Sequence, residues 1–139
     1  MKIKGLTLIR PWGYAVTALG KDIENRSWVP SIKTLEPGDW IAIHNGVKWS
    51  QEDVFWIEDM FKVKVPHRDS HPTGAIIGVA RYMGWTGKSN SRWFFGEYGW
   101  KLQDAFAIEP IPHKGSLGLW TLEPAALAQV EKAIERGTK

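Results

Sequence analysis

The chain has 139 residues, a net charge of +3 and an apolar fraction of 43%. That fits one domain, residues 1–139, with a sizeable core, and excludes both a disordered chain and two ordinary domains. With no cysteine, a disulfide framework, a thiolate nucleophile and a cysteine-ligated zinc site are excluded.

Of the four histidines (His44, His67, His71, His113), only His67 and His71 stand four apart, and they do so in a polar loop, not a helix; neither a metal nor a cofactor is implied. No apolar run reaches the ~20 residues of a membrane span, and the basic start MKIK is followed by no secretory segment. The expected compartment is the cytoplasm, with no membrane partner. The mild positive charge favours a polyanion.

In chain order, GLTLI (5–9) reads as a buried strand. Pro11 is then expected at the first position of a helix, where its missing N–H costs nothing. Trp12, Ala15, Val16 and Leu19 share one face of that helix, and Gly20 is its left-handed stop. DIENRSW (22–28) reads as extended, with Asp22, Glu24, Arg26 and Trp28 on one side and same-side neighbours about 7 Å apart. LEPGDWIAIHNG (35–46) reads as a turn, a strand and an Asn-Gly turn. Ser50 caps a second helix, with Asp53 at the acidic position of a capping box and Ile57, Met60 and Phe61 continuing its apolar stripe.

HRDSHPTG (67–74) is a polar loop. AIIGVARYMGW (75–85) is a long strand in which Gly78 or Gly84 allows a bulge, and TGKSNSR (86–92) is a basic loop. WFFGEYGW (93–100) is an aromatic segment around two turn glycines. AFAIEPIP (105–112) is a strand ended by two prolines, and HKGSLG (113–118) is a turn before the short strand GLWTL (118–122). Pro124 opens a last helix that buries Leu127, Val130 and Ile134 and stops at Gly137. The order β-α-β-β-α-β-β-β-β-α gives an α+β class, with short strands forming a small barrel or curved sheet closed by helices.

The chain has no phosphate-binding G-x-x-x-x-G-K-[ST], no G-x-G-x-x-G and no G-x-S-x-G. Two features remain. Each of the nine tryptophans is by itself more readily a core residue, but tryptophan also stacks on bases and cations, and with nine at least one is expected to face a ligand. Lys21, Glu24 and Arg26 cluster between apolar segments. Arginine binds phosphate or a base edge, glutamate accepts from an exocyclic amine, and lysine contacts phosphate or acts as a base when buried. An exposed Glu–Arg pair of about 0–1 kcal/mol is the plainer alternative.

The succession LTLIRPWGYAVTALGKDIENRSW, GDWIAIHNG, GAIIGVARYMG, IPHKGSLGLWTL resembles the ASCH family of the PUA-like superfamily along nearly the whole chain. Its members open with a strand, an R-x-P-W-like helix start and a G-x-K-x-x-E-x-R motif. Here Gly20, Lys21, Glu24 and Arg26 carry that motif, with one residue fewer between glycine and lysine. The resemblance implies a small PUA-like β-barrel with flanking helices, a cleft beside the motif, and RNA or a modified nucleoside as partner.

Arg26, Arg10, His44 and Lys114 are the polar binding candidates, and Trp12, Trp28 and Trp93 the stacking ones. Some small ASCH proteins resemble amidohydrolases acting on N4-acetylcytidine through the motif lysine, a threonine three residues later and a further glutamate. Lys21 matches the lysine and Glu24 stands at the threonine position. Lys21 and Glu24 are the catalytic candidates if the protein is a hydrolase. Other members resemble ribonucleases, for which Tyr14 or Tyr98 is available. An interaction module would instead need a large exposed apolar patch.

Overall fold

Unbroken buried runs such as Trp40–Ile43 and Ala75–Ala80 let one sheet bury both of its faces. The computed structural model describes residues 1–138. In chain order these form β1 (Ile3–Arg10), α1 (Trp12–Ala18), β2 (Ile23–Arg26), β3 (Trp40–Trp49), α2 (Gln51–Phe61), β4 (Ala75–Thr86), β5 (Tyr98–Pro112), β6 (Leu119–Trp120) and α3 (Pro124–Gly137). A 3-10 turn at Arg68–Ser70 lies between α2 and β4. The six strands make one sheet of order β2-β5-β4-β3-β1-β6, in which only β1 and β3 run parallel.

One face carries Ile3, Trp40, Ala42, Val79 and Trp120, covered by Ala126, Val130 and Ile134 of α3. The other gathers Leu6, Leu8, Ile41, Ile43, Tyr82, Trp100 and Leu102 with Val16 of α1. Leu6 on β1 and Trp100 on β5 meet in that cluster although β3 and β4 separate their strands, so the sheet curls strongly. The expected barrel is therefore reached only in part: among the described residues no ladder joins β2 to β6 or β1. Trp28, just past β2, comes near the β6 side, with its Cζ2 3.9 Å from where a Cβ at Gly118 would lie.

Four local expectations change. Residues 93–100 and 105–112 do not hold separate strands, because β5 runs unbroken from Tyr98 to Pro112. Asp104 takes φ +52 and the β4–β5 register shifts three times, which places Pro110 in an unpaired stretch and Pro112 at the strand end. Asn45-Gly46 is not a turn: β3 continues to Trp49, which pairs with Arg10 across a bulge, and Asn45 donates to the Pro72 carbonyl at 2.9 Å. The first helix begins at Trp12, with Pro11 as its N-cap. The last helix includes Gly137, where a Cβ would meet the Phe106 ring.

Gly20 takes φ +73, as a helix stop requires. Ser50 caps α2 by accepting from the Asp53 N–H at 3.1 Å. Gly78 and Gly84 both fall at or within register shifts of β4.

His44 is buried on β3 and fastens three elements. Its Nε2 faces the His113 carbonyl at 2.7 Å and must donate to it; Nδ1 then accepts the Thr7 hydroxyl at 3.1 Å, and Thr7 Oγ1 accepts the Trp120 Nε1–H at 3.2 Å. This chain holds His44 neutral. Burial pushes its pKa below the ordinary histidine value, against the opposing pull of the His113 carbonyl. His71 shifts the same way, again chiefly by burial.

Two outcomes follow. The unfolded chain protonates these histidines near pH 6.5, above the point at which the folded protein does. Stability is therefore unaffected by these histidines above about pH 7 and falls as the pH drops below about 6.5; Tm measured over that fall decreases, and a flat profile contradicts the lowering of the two histidine pKa values by burial. A Cβ at Gly78 would lie 2.7 Å from the Phe106 carbonyl oxygen. Gly78→Ala is expected to destabilise by about 1–3 kcal/mol in urea unfolding, and a variant as stable as the parent contradicts that close approach.

Candidate functional site

The seam left by incomplete closure holds a cavity of about 500 Å³. Thr7 to Ile9 of β1 form one side and Glu24 to Arg26 of β2 the other; Lys21, Trp12, Asp53 and Trp56 of α2, and Phe95 complete it. Lys21 enters because Gly20 ends α1 in a left-handed conformation and turns the chain toward β2. Strand alternation then sets Glu24 and Arg26 on one side, as their spacing predicts.

Glu24 carries two cations. Its Oε1 is 3.2 Å from Lys21 Nζ and its Oε2 is 2.8 Å from Arg26 Nε. Lys21 Nζ also donates to the Ile23 carbonyl. The side chains of Lys21 and Glu24 are 3% and 9% exposed, while that of Arg26 is 25% exposed. This is not the solvated surface pair of the plainer alternative. Lys21 lies 5.4 Å from the Trp12 ring centroid. Trp12 Nε1 donates to Asp53 Oδ2 at 2.8 Å, which fixes the plane of the indole.

Of the residues singled out in the sequence, Lys21, Glu24, Arg26 and Trp12 come together on the cavity. Trp93 stands behind it, 6% exposed, stacked on Phe61 at 3.9 Å and edge-on to Trp12 at 6.4 Å. Trp28 packs edge-on against Trp100 at 4.9 Å and accepts its Nε1–H through the backbone. Lys114 is exposed on the 113–118 loop.

Arg10 is buried and does not line the cavity. Its guanidinium donates to the carbonyls of Val47 (2.7 Å), Arg68 and His71 (both 3.3 Å), and so ties the 66–72 loop to the end of β3. Burial and the nearby Arg68 lower its pKa, with Asp69 acting the other way. His44 serves the internal hydrogen-bond chain described above.

Beside Thr7, Leu8 and Ile9 of β1, four further cavity residues were not anticipated: Asp53, Trp56, Asn25 and Phe95. The capping-box pattern accounted for Asp53, yet its carboxylate turns to Trp12 and only its N–H takes part in the cap. Trp56 lies three residues along α2 from Asp53, hence on the same face, and that spacing was the available signal. Asn25 is held by its side chain, which donates to the Trp93 carbonyl and accepts from the Phe95 N–H, both at 2.8 Å. No short-range pattern marks such long-range contacts. Among the described residues no three His, Asp or Glu side chains gather as a metal ligand set.

No family model matches the sequence, and no curated protein matches it either. Solved structures do. The crystal structure of ASCH from Zymomonas mobilis shares 16% identity over 96% of this chain and 95% of that one, with a TM-score of 0.57. A serine-to-alanine mutant of ZmASCH from the same organism shares 14% over 95% and 96%, with a TM-score of 0.53. Identity this low speaks for the fold, and it covers almost the full length of both chains. The six-stranded sheet, the three helices and this likeness agree: the protein has the fold of an ASCH domain.

Proposed function

We propose that the protein binds single-stranded RNA or a modified nucleoside in the cavity between β1 and β2. The observation that carries this reading is the convergence of Lys21, Glu24, Arg26 and Trp12 on one concavity. Arg26 is the accessible cation for a phosphate or carbonyl, and Trp12 with Trp56 and Phe95 supplies aromatic surface for a planar base. The net charge of +3 has the sign a polyanion requires. In this reading the curled sheet is a PUA-like barrel opened at one seam, with the ligand in the opening.

A second reading has one observation in its favour: Lys21 is a buried amine on a cavity that also holds two carboxylates, Glu24 and Asp53. A hydrolase acting on N4-acetylcytidine, or on RNA, would use Lys21 and Glu24 to activate water. Against it, both Glu24 oxygens are already engaged by cations, which leaves little free basicity.

Four outcomes test these readings. Fluorescence titration with short single-stranded RNA is expected to give an affinity that falls about tenfold between 50 and 200 mM salt if two phosphates are neutralised. Trp12→Ala is expected to weaken it by roughly tenfold or more; binding indifferent to both salt and Trp12 contradicts the proposal. Glu24→Gln strands Lys21 and Arg26 without their shared anion and is expected to cost about 3 kcal/mol of stability, whereas a neutral effect on urea unfolding would mean the pair does not persist in solution. Release of cytidine from N4-acetylcytidine that disappears in Lys21→Ala would establish the second reading; no release from the parent protein rejects that substrate.

A further inference from the structure

The main-chain geometry of the cavity walls carries an inference that rests on the nucleoside-binding reading and goes beyond it. Just before β1 the Lys2 carbonyl accepts from the Trp40 N–H at 3.0 Å, and at its end the Arg10 carbonyl accepts from the Ser50 N–H at 2.9 Å. Both point toward β3, and they stand an even eight positions apart. Even-numbered residues of β1 therefore turn their main-chain groups to β3, and odd-numbered residues turn theirs away.

On that outer edge Gly5 is paired by β6 through Trp120, and the ladder stops at Leu6. Gly118, at φ +65, carries the chain away just where the next partner would stand. Thr7 and Ile9 thus present N–H and C=O groups that no described residue engages.

The facing wall has the same property. The Asp22 carbonyl accepts from the Leu102 N–H at 2.9 Å, so even-numbered residues of β2 face β5. Asn25 then directs its own N–H and C=O to the opposite side, as does Ile23, whose carbonyl takes Lys21 Nζ. Thr7, Ile9 and Asn25 all line the cavity.

An extended residue offers a donor and an acceptor side by side on one edge. The Watson–Crick edge of a nucleobase offers the complementary adjoining pair, which is how unpaired bases are read. Open strand edges also attract extended peptides. Here the free groups are few, an aromatic wall lies beside them and a partly exposed Arg26 flanks them, which matches a planar base attached to phosphate better than a peptide strand.

We infer that the main-chain groups of Thr7, Ile9 and Asn25 read the Watson–Crick edge of one base seated in the seam. Recognition is then written in the backbone, where side-chain substitution cannot erase it.

The test compares RNA hexamers of uridine, cytidine, adenosine and guanosine by fluorescence titration. The tightest is then remade with its Watson–Crick ring nitrogen blocked, by methylation in uridine or guanosine or by C–H replacement in cytidine or adenosine. Blocking is expected to weaken binding about tenfold or more. Ile9→Pro removes one main-chain donor from an open edge, a position that tolerates proline, and is expected to weaken binding severalfold while Ile9→Val binds as the parent does.

Unchanged affinity for the blocked hexamer overturns the inference, whether or not Ile9→Pro folds. If the blocked and unblocked hexamers bind alike but Arg26→Ala or Trp12→Ala weakens both, only the base-edge inference falls and the binding site stands. If no hexamer binds, or an extended peptide binds in place of all four, the nucleoside-binding reading falls and takes this inference with it.

Discussion

β6 covers only Gly5 and Leu6 of β1, and β2 hydrogen-bonds only to β5, so the sheet ends in two edges that curl toward each other without joining. Strand edges are normally paired, covered or charged. This protein covers its seam at one end, where Trp28 packs on Trp100 and approaches Gly118, and leaves a cavity at the other. The positions of Lys21, Glu24, Arg26 and Trp12 follow from that opening. Lys21 and Glu24 sit on its floor and Arg26 at its margin, and the aromatic rings of α1, α2 and Phe95 close the far side.

Burying two charges is unfavourable unless both are paired and their remaining hydrogen bonds are met. Glu24 satisfies this by engaging Lys21 with one oxygen and Arg26 with the other, while Lys21 finds a second acceptor in the Ile23 carbonyl. The arrangement fixes three side chains and spends the carboxylate in doing so. Asp53 orients Trp12 in the same way, by a hydrogen bond across to α2. The result is a rigid polar floor beside a rigid aromatic wall. Such pre-ordering lowers the entropic cost of binding a planar ligand, and it suits recognition better than a reaction that needs a free base.

Local signals in the sequence were read correctly where their cause is local. The glycine stop at Gly20, the Ser50 cap, the proline start of α3 and the alternation that puts Glu24 beside Arg26 all appear in the structure. Misreadings arose where a distant strand overrides a local preference. Asn45-Gly46 has turn chemistry, yet the ladder with β1 keeps it extended. The glycines and prolines around β5 suggested two strands, but pairing with β4 through successive bulges holds one.

The same division governs the site. The Lys21, Glu24 and Arg26 cluster was visible because it is contiguous. Asp53, Trp56 and Phe95 arrive from α2 and the 87–97 loop through tertiary packing. The roles of Arg10 and His44 depend on carbonyls of Arg68, His71 and His113, about 60 to 70 residues away in the chain, and a polar residue in a strand does not announce such partners.

We place the proposed ligand in the seam between β1 and β2. Amide chemical shifts recorded while a short single-stranded RNA is added test this most directly. The largest changes are expected on the Thr7, Ile9 and Asn25 amides and the Trp12 indole N–H, with α3 silent. Changes centred on α3 or on the Lys114 loop, with those four signals unmoved, would contradict it.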